Sequence, residues 1–114
     1  MATPTVPQRS GLELNAEFQS IEGAAALPST AHWRLTCESS GRVLQDWTAA
    51  TLSAETTAGT VTRVSVTVEI PGSLTALCDP SSQRELKICT IVADKDGPRE
   101  YSEDFPFYVR RGGR

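Results

Sequence analysis

The stretch Thr62-Arg63-Val64-Ser65-Val66-Thr67-Val68-Glu69-Ile70 decides the fold class of this chain. From Val64 onward every even position is aliphatic and every odd position is polar. Successive side chains of a β-strand point to opposite faces, so this alternation predicts a strand with one face in a hydrophobic core and the other in water. The turn-forming residues Pro71-Gly72-Ser73 predict where the strand ends.

Similar alternation recurs and predicts further strands at residues 12–18, 31–38, 43–48, 84–93 and 99–109, with a short edge strand possible within residues 49–60. In the 84–93 strand we predict that Leu86, Ile88 and Val92 face the core. Turn signals separate the strands and no helical periodicity is seen. We therefore predict an all-β fold, a single antiparallel immunoglobulin-like β-sandwich of about seven strands, with a small barrel as the alternative.

The two ends of the chain differ from the body between them. Residues 1–11 contain Pro4, Pro7 and Gly11 among small polar residues, which predicts an extended N-terminal arm rather than a packed element. Residues 12–110 would form the sandwich and residues 111–114 a flexible C-terminal tail. Because the arm is predicted to lie outside the sandwich, we expect its removal to leave the stability of the body almost unchanged.

The formal net charge of −3 is unevenly distributed. Four of the eleven basic residues lie near the ends, which leaves seven basic against 14 acidic residues in the body; the four are Arg9, Arg110, Arg111 and Arg114. An acidic body repels phosphate, so we predict no nucleic-acid partner. No apolar run approaches the roughly 20 residues of a membrane span, and the first residues do not resemble a secretory signal, so we predict no membrane association and cytosolic synthesis.

The cysteines and the histidine form no recognisable catalytic or metal-binding pattern. Cys37, Cys78 and Cys89 are odd in number and their spacing matches no common zinc motif, so we predict reduced thiols. On the predicted parity Cys37 faces the core and Cys89 faces away from it, so the inter-sheet disulfide of immunoglobulin domains is not expected. His32, the only histidine, lies on the polar face of its strand and is interpreted as a solvated side chain.

Two acidic groups have structural interpretations. Asp94-Lys95-Asp96-Gly97 imitates the start of a calcium loop but lacks the later ligands, and the same residues are typical of a hairpin turn. Glu100, Glu103 and Asp104 on the last strand are interpreted as charges that protect a sheet edge, not as the carboxylate pair of a glycosidase. We predict no enzymatic activity, no cofactor and no metal site.

Three motifs together carry a resemblance to a known family. They are Ser40-Gly41-Arg42-Val43-Leu44-Gln45-Asp46-Trp47-Thr48, then Arg84-Glu85-Leu86-Lys87-Ile88, and last the aromatic strand from Phe105 to Val109. In this arrangement the chain resembles small immunoglobulin-like virion structural proteins of tailed bacteriophages. The motifs concern the fold and contain no catalytic residues.

The resemblance implies a structural role on the particle, as a capsid decoration, neck or tail component. We predict a non-enzymatic virion protein, synthesised in the host cytoplasm, which is a capsid decoration (cement) protein anchored through its N-terminal arm. Its expected partners are other virion proteins, either the major capsid protein or neck and tail proteins, and it is expected as a homo-oligomer or in multiple copies per particle. We predict that the ends contact the partner, through Pro4, Val6, Pro7, Arg9, Arg110 and Arg111. The alternatives are a neck or tail component and a host-surface or carbohydrate-binding module, which would cluster Trp47, Tyr101 and Tyr108 on one solvent face.

Overall fold

A computed structural model describes residues 3–20, 27–79, 81–97 and 100–111. Within them the chain forms nine strands, β1 (Thr5–Pro7), β2 (Leu12–Ser20), β3 (Ala31–Cys37), β4 (Arg42–Ala49), β5 (Thr51–Leu52), β6 (Thr56–Ala58), β7 (Val61–Ile70), β8 (Arg84–Ala93) and β9 (Tyr101–Arg110). The helical structure in the same residues is a single 3-10 turn at Gly72–Thr75. In the part of the chain that the structure describes, no helix has the length and hydrophobicity of a membrane span.

The strands are arranged in two sheets. The first sheet has the order β1-β9-β8-β3-β4, and the second has the order β2-β7-β5, with β6 also pairing with β7. Every described pairing is antiparallel except that of β1 with β9, which is parallel, so the first sheet is mixed rather than purely antiparallel. Buried side chains from both sheets form one core cluster. The predicted all-β sandwich is therefore confirmed, and the weakly patterned residues 49–60 supply two short strands.

The core lies between the inward faces of the two sheets. From the second sheet, Val66, Val68 and Ile70 of β7 are each at most 1% exposed. From the first sheet, Leu35 of β3 and Phe107 of β9 are equally buried. The apolar face of β2 covers the cluster with half-buried residues, namely Leu12, Leu14, Ala16 and Phe18. Burying each aliphatic or aromatic side chain contributes roughly 1.5–3 kcal/mol, so these alternating positions supply most of the driving force for folding.

The first half of strand β8 presents to the core the opposite set of side chains from the predicted one, whereas Val92 is buried as predicted. Its buried residues include Glu85, Lys87 and Cys89, whereas Leu86 and Ile88 lie on the outer face and are only half-buried. The prediction that Leu86 and Ile88 face inward was therefore wrong, and so was the outward orientation of Cys89. Two polar residues can occupy the interior here because their opposite charges and the backbone amides around them compensate one another.

The N-terminal arm is extended, as its prolines predict, but its residues 5–7 belong to the sandwich. They form β1, which pairs with residues 108–110 of β9. Val6 packs against the core, and the amide of Gln8 donates to the carbonyl of Arg110 at 3.0 Å. An edge strand satisfies backbone groups of β9 that would otherwise need water, so this part of the arm has a structural role that the sequence analysis did not assign to it.

The arm is also fixed where it turns toward β2. Thr75 Oγ1 donates to the carbonyl oxygen of Ser10 at 2.8 Å, which ties the 3-10 turn to the arm. A Cβ atom at Gly72 would lie 2.5 Å from the carbonyl oxygen of Arg9, which is closer than backbone atoms tolerate. Glycine is therefore required at position 72 because the arm passes directly over it.

Candidate functional sites: an outer apolar patch, a flank cleft and an interior polar cluster

The outer face of the first sheet carries an apolar patch, which we define by Val43, Leu86, Ile88, Pro106 and Tyr108. The pairing register places Leu86 opposite Tyr108 and Ile88 opposite Pro106. Thr36 of β3 is the register partner of both Ile88 on β8 and Val43 on β4, so the patch extends over four neighbouring strands. Val43 is 46% exposed, Pro106 is exposed, and the other three are half-buried. A cluster of solvent-accessible apolar side chains on one sheet face is typical of a surface that packs against another protein.

Arginines border one end of this outer apolar patch. Arg84 and Arg110 are register partners on β8 and β9, one step beyond Leu86 and Tyr108, and both are exposed. The guanidinium of Arg84 lies 4.1 Å from the centre of the Tyr108 ring. Stacking of this kind holds the guanidinium flat against the aromatic face while its N–H groups remain available. The combination suits a partner surface that is apolar with carboxylates beside it.

A cleft opens on the flank of the sandwich between β2 of the second sheet and β9 of the first sheet, which do not pair with each other. It has a volume of about 440 Å³ and is lined by Phe18, Tyr101 and Phe105 together with Glu17 and Glu103. Tyr101 is 54% exposed and meets Phe18 edge to face at 6.0 Å between ring centres. Its hydroxyl donates to Glu103 Oε1 at 2.6 Å, and this hydrogen bond raises the pKa of Tyr101 from its ordinary value. The cleft is thus a shallow aromatic site with an acidic border.

An interior polar cluster lies at the opposite face of β8 from the outer apolar patch. We define it by Cys37, Cys78, Glu85 and Lys87. Lys87 Nζ is 3.4 Å from Glu85 Oε1, and the two side chains are 0% and 2% exposed. Glu85 also accepts hydrogen bonds from the backbone amides of Cys78 and Asp79, each at 2.8 Å. The carboxylate therefore ties the loop before β8 to the strand itself.

The two cysteines of the cluster contact its charged groups. Cys37 Sγ donates to Glu85 Oε1 at 3.7 Å, and Lys87 Nζ donates to Cys78 Sγ at 3.8 Å. Burial alone would raise the pKa of Glu85, but the amides of Asp79 and Cys78 and the Lys87 ammonium outweigh it, so the pKa of Glu85 lies below its ordinary value. Glu85 is accordingly an ionised carboxylate at neutral pH in this interior site.

The predicted partner-contacting residues do not lie together on one free surface. Pro4, Val6 and Pro7 are engaged along β9: the carbonyl of Pro4 accepts from the amide of Tyr108 at 2.9 Å, and Pro7 is the register partner of Arg110. Arg9 is exposed and has a left-handed backbone conformation with φ of 63°. Arg111 Nε donates to the carbonyl of Ser82 at 3.0 Å. Among the residues predicted to contact a partner, Arg110 is the one described above at the border of the outer apolar patch.

The acidic residues considered as ligands have local structural partners. Asp94 Oδ1 accepts from the amides of Ser29 and Thr30 and from the Ser29 hydroxyl, while both Asp94 and Asp96 have positive φ angles in the turn between β8 and β9. Asp104 accepts from Thr90 Oγ1 at 2.7 Å, and Glu100 accepts from the amide of Asp96 at 2.7 Å. The contacts of Asp94 and Asp96 agree with the hairpin interpretation, and the edge-protecting role of Glu100, Glu103 and Asp104 stays a prediction.

The three aromatic residues that would mark a recognition face lie apart. Tyr101 and Tyr108 have opposite parity on β9, so they point to opposite faces of the sheet. Trp47 is half-buried between two cations, with Arg34 and Lys95 at 5.8 and 5.4 Å from the ring centre. The side chains therefore do not form one aromatic platform. His32 is half-buried on the outer face, and its Nδ1 has no hydrogen-bond partner among the described residues.

Sequence reasoning did not find the outer apolar patch or the interior polar cluster. Both follow from the parity of β8, where each alternating set contains three apolar residues and the pattern alone does not choose between them. A signal was present in Cys89 and Ile91, which share a parity with Lys87 and do face the core. Comparisons with protein-family models, with curated proteins and with solved structures give no match for this chain.

Proposed function

We propose that this chain is a non-enzymatic structural protein of a bacteriophage virion, a capsid decoration protein whose sandwich binds the particle surface. The observation that carries the proposal is the outer apolar patch, because exposed and half-buried apolar side chains on β4, β8 and β9, linked through Thr36 of β3, are costly in water and become favourable when another subunit covers them. The location on a virion comes from the resemblance of the sequence motifs to phage virion proteins.

The occupant of the patch that we propose is the major capsid protein. Its matching surface would be apolar with acidic groups at one side, complementary to Arg84 and Arg110 at the border of the outer apolar patch. Charged groups at the rim of an interface contribute orientation and selectivity, and the apolar centre contributes most of the affinity. A neck or tail subunit with the same surface chemistry is the alternative partner.

The particles of the source phage test this proposal directly. Particles purified by density gradient are probed with an antibody against the chain, and variants are supplied in trans during infection by a phage that lacks the gene. We expect the wild-type chain in the particle fraction and loss of Ile88→Arg from it, because an arginine in the centre of the patch must be desolvated on binding. Thr51→Arg, at an exposed position of the second sheet, is the matched control and should be incorporated normally.

The two readouts separate the parts of the proposal. Absence of the wild-type chain from purified particles would exclude a virion protein. Incorporation of Ile88→Arg at the wild-type level would exclude the outer apolar patch as the contact surface. A thermal melt of each variant checks the fold, and we expect Ile88→Arg to melt close to wild type because the residue lies on the outer face.

A host-surface or carbohydrate-binding module is the second candidate function, and the flank cleft favours it. Phe18, Tyr101 and Phe105 offer ring surfaces beside Glu103, a combination found where sugars bind through ring stacking and hydroxyl hydrogen bonds. A glycan array probed with the purified protein would support this function if one sugar class binds and Tyr101→Ala abolishes binding. Absence of binding to every glycan, together with incorporation into particles, would exclude it.

A further inference from the structure

Two thiols meet inside the interior polar cluster although they are 41 positions apart in the sequence. Cys37 is the last residue of β3 and is fully buried, and Cys78 lies in the loop before β8 and is partly exposed. Their Sγ atoms and the Glu85 carboxylate oxygen lie within 4.8 Å of one another. A disulfide requires an S–S distance of about 2.05 Å, so a modest movement of the loop that carries Cys78 brings the sulfurs together.

The charged residues of the cluster are placed to assist the two steps of disulfide formation. The attacking species in thiol–disulfide exchange is a thiolate, and a lysine ammonium beside a partly exposed sulfur is a setting that activates a thiol. Lys87 Nζ lies 3.8 Å from Cys78 Sγ and donates to it. Cys37 donates its S–H to Glu85 Oε1 at 3.7 Å, and this contact holds the Cys37 sulfur close to Cys78 Sγ.

We propose that Cys37 and Cys78 form a reversible disulfide by exchange with a small-molecule disulfide such as oxidised glutathione, with Cys78 as the attacking thiol and Cys37 as the resolving thiol. This inference goes beyond the proposed function and does not depend on it. It assigns chemistry to a cluster that the packing of the sandwich alone does not require.

The atoms and electrons of the exchange balance in two steps. The Cys78 thiolate attacks one sulfur of oxidised glutathione, the glutathione S–S bond breaks, and one glutathione thiolate leaves, which gives a mixed disulfide on Cys78. Cys37 then gives up its proton to solvent and attacks Cys78 Sγ, and the second glutathione thiolate leaves. The two protein thiols are oxidised to one disulfide, two glutathione thiols are formed, and the protons of the protein thiols pass to them through solvent.

A metal ion is a weaker interpretation of the same cluster. Cys37, Cys78 and Glu85 are residue types that bind zinc. However, Lys87 contacts both Glu85 and Cys78, and its positive charge opposes a divalent cation at the same place. The oxygens of Glu85 are also occupied by the amides of Cys78 and Asp79. The donor set therefore favours thiol chemistry over cation binding.

Cys89 provides an internal control in the same molecule. It is fully buried in the core, and burial, with a smaller contribution from Asp104, raises its pKa to about 12. Such a thiol stays protonated at neutral pH and reacts slowly. Modification is therefore expected at Cys78 first and at Cys89 not at all while the protein is folded.

The test uses the reduced full chain incubated at neutral pH with oxidised glutathione, in parallel samples with and without a metal chelator. Intact mass should fall by two hydrogen atoms, and a digest should yield one cross-linked peptide pair that contains Cys37 and Cys78. Titration of free thiols after denaturation should fall from three to one. The melting temperature should rise by roughly 10 °C, since the cross-link closes a long loop of the unfolded chain.

Three variants assign the roles of the cysteines. Cys37→Ser should stop at the mixed disulfide and gain the mass of one glutathione less two hydrogen atoms. Cys78→Ser should remain unmodified, and Cys89→Ala should form the disulfide as the wild type does. Three free thiols in the folded wild type after incubation, or a disulfide that includes Cys89, would overturn the proposal. So would oxidation that proceeds only after a chelator removes a bound zinc ion, because the cluster would then be a metal site.

Discussion

The buried pair Glu85 and Lys87 gives the most specific prediction of the structure, because Glu85 has more hydrogen-bond partners than Lys87 once the other member of the pair is removed. Glu85 keeps two amide hydrogen bonds when Lys87 is removed. Lys87 loses its only carboxylate partner among the described residues when Glu85 is removed, and it is then fully buried and charged. We therefore expect Glu85→Gln to destabilise the protein more than Lys87→Met.

The magnitudes follow from the geometry. Removing one partner of a buried ion pair and leaving the other uncompensated costs about 3–5 kcal/mol, which applies to Glu85→Gln. Lys87→Met removes a charge-assisted hydrogen bond, which costs about 1.5–3 kcal/mol, and leaves a carboxylate that the amides still solvate. The double variant should be less destabilised than the sum of the single changes, because it contains no unpaired buried ammonium.

Calorimetry and urea unfolding at pH 7 measure these differences. With an unfolding entropy of about 2.1 cal/mol/K per residue, each kcal/mol shifts the melting temperature of a chain of this length by about 4 °C. Glu85→Gln should therefore melt roughly 12–20 °C below wild type. The matched control is the exposed pair of Arg63 and Glu17, at 3.7 Å, where Glu17→Gln should cost under about 1 kcal/mol.

The test is whether Glu85→Gln destabilises the protein more than Lys87→Met does. If Lys87→Met proves as destabilising as Glu85→Gln, the amide hydrogen bonds of Cys78 and Asp79 do not support the carboxylate as described. If the single changes are simply additive in the double variant, Glu85 and Lys87 do not interact energetically, and the inward register of β8 at this point is wrong.

Three further predictions test other parts of the structure. The pKa of Glu85 is lowered in the folded protein, so the contribution of this carboxylate to stability is complete at neutral pH and is lost as the pH falls through the lowered pKa. The free energy of unfolding of Glu85→Gln should therefore depend less on pH between about 5 and 2 than that of the wild type. Gly72→Ala should lower the melting temperature by roughly 8–12 °C, because the new Cβ displaces the backbone of Arg9 and overpacking of this kind costs about 2–3 kcal/mol. Gly41→Ala, with a φ of 74° and open space around it, should cost about 1 kcal/mol, or roughly 4 °C. Equal effects in thermal melts would argue against the close approach of the arm. Deletion of residues 2–8 should destabilise the domain by about 1–3 kcal/mol, because β1 and the burial of Val6 are lost. An unchanged urea midpoint would instead support the prediction from sequence that the arm lies outside the sandwich.

The sequence predicted the fold class because most strands have one clearly apolar face. In β7 and β3 every buried position is hydrophobic or small, as at Val66, Val68 and Leu35, so the alternation has a single interpretation. Phe107 and Val109 on β9 were found for the same reason. Where one parity of a strand is apolar and the other polar, burial of the apolar set is worth several kcal/mol and fixes the orientation.

The candidate sites lie on β8, where the alternation of side chains does not determine which face is buried. On β8 both parities contain apolar residues, Leu86 and Ile88 on one side and Cys89 and Ile91 on the other. The choice between them depends on contacts made by distant residues, since the amides of Cys78 and Asp79 reach Glu85 only after the loop before β8 has folded back. Such partners are tertiary and leave no local pattern. The same is true of β1, whose parallel pairing with β9 links opposite ends of the chain.

The parallel direction of β1 and β9 determines how the molecule accepts a fused tag. Thr5 lies opposite Tyr108, and the carbonyl of Pro4 accepts from the Tyr108 amide, so β1, followed backward from Thr5, points toward the half of β9 that begins at Tyr101 and borders the flank cleft. A carboxyl-terminal fusion is instead attached beyond Arg110, at the end of β9 farthest from Tyr101. Labels for imaging or purification should therefore be attached at the carboxyl end, where they leave both the cleft and the edge of β9 open.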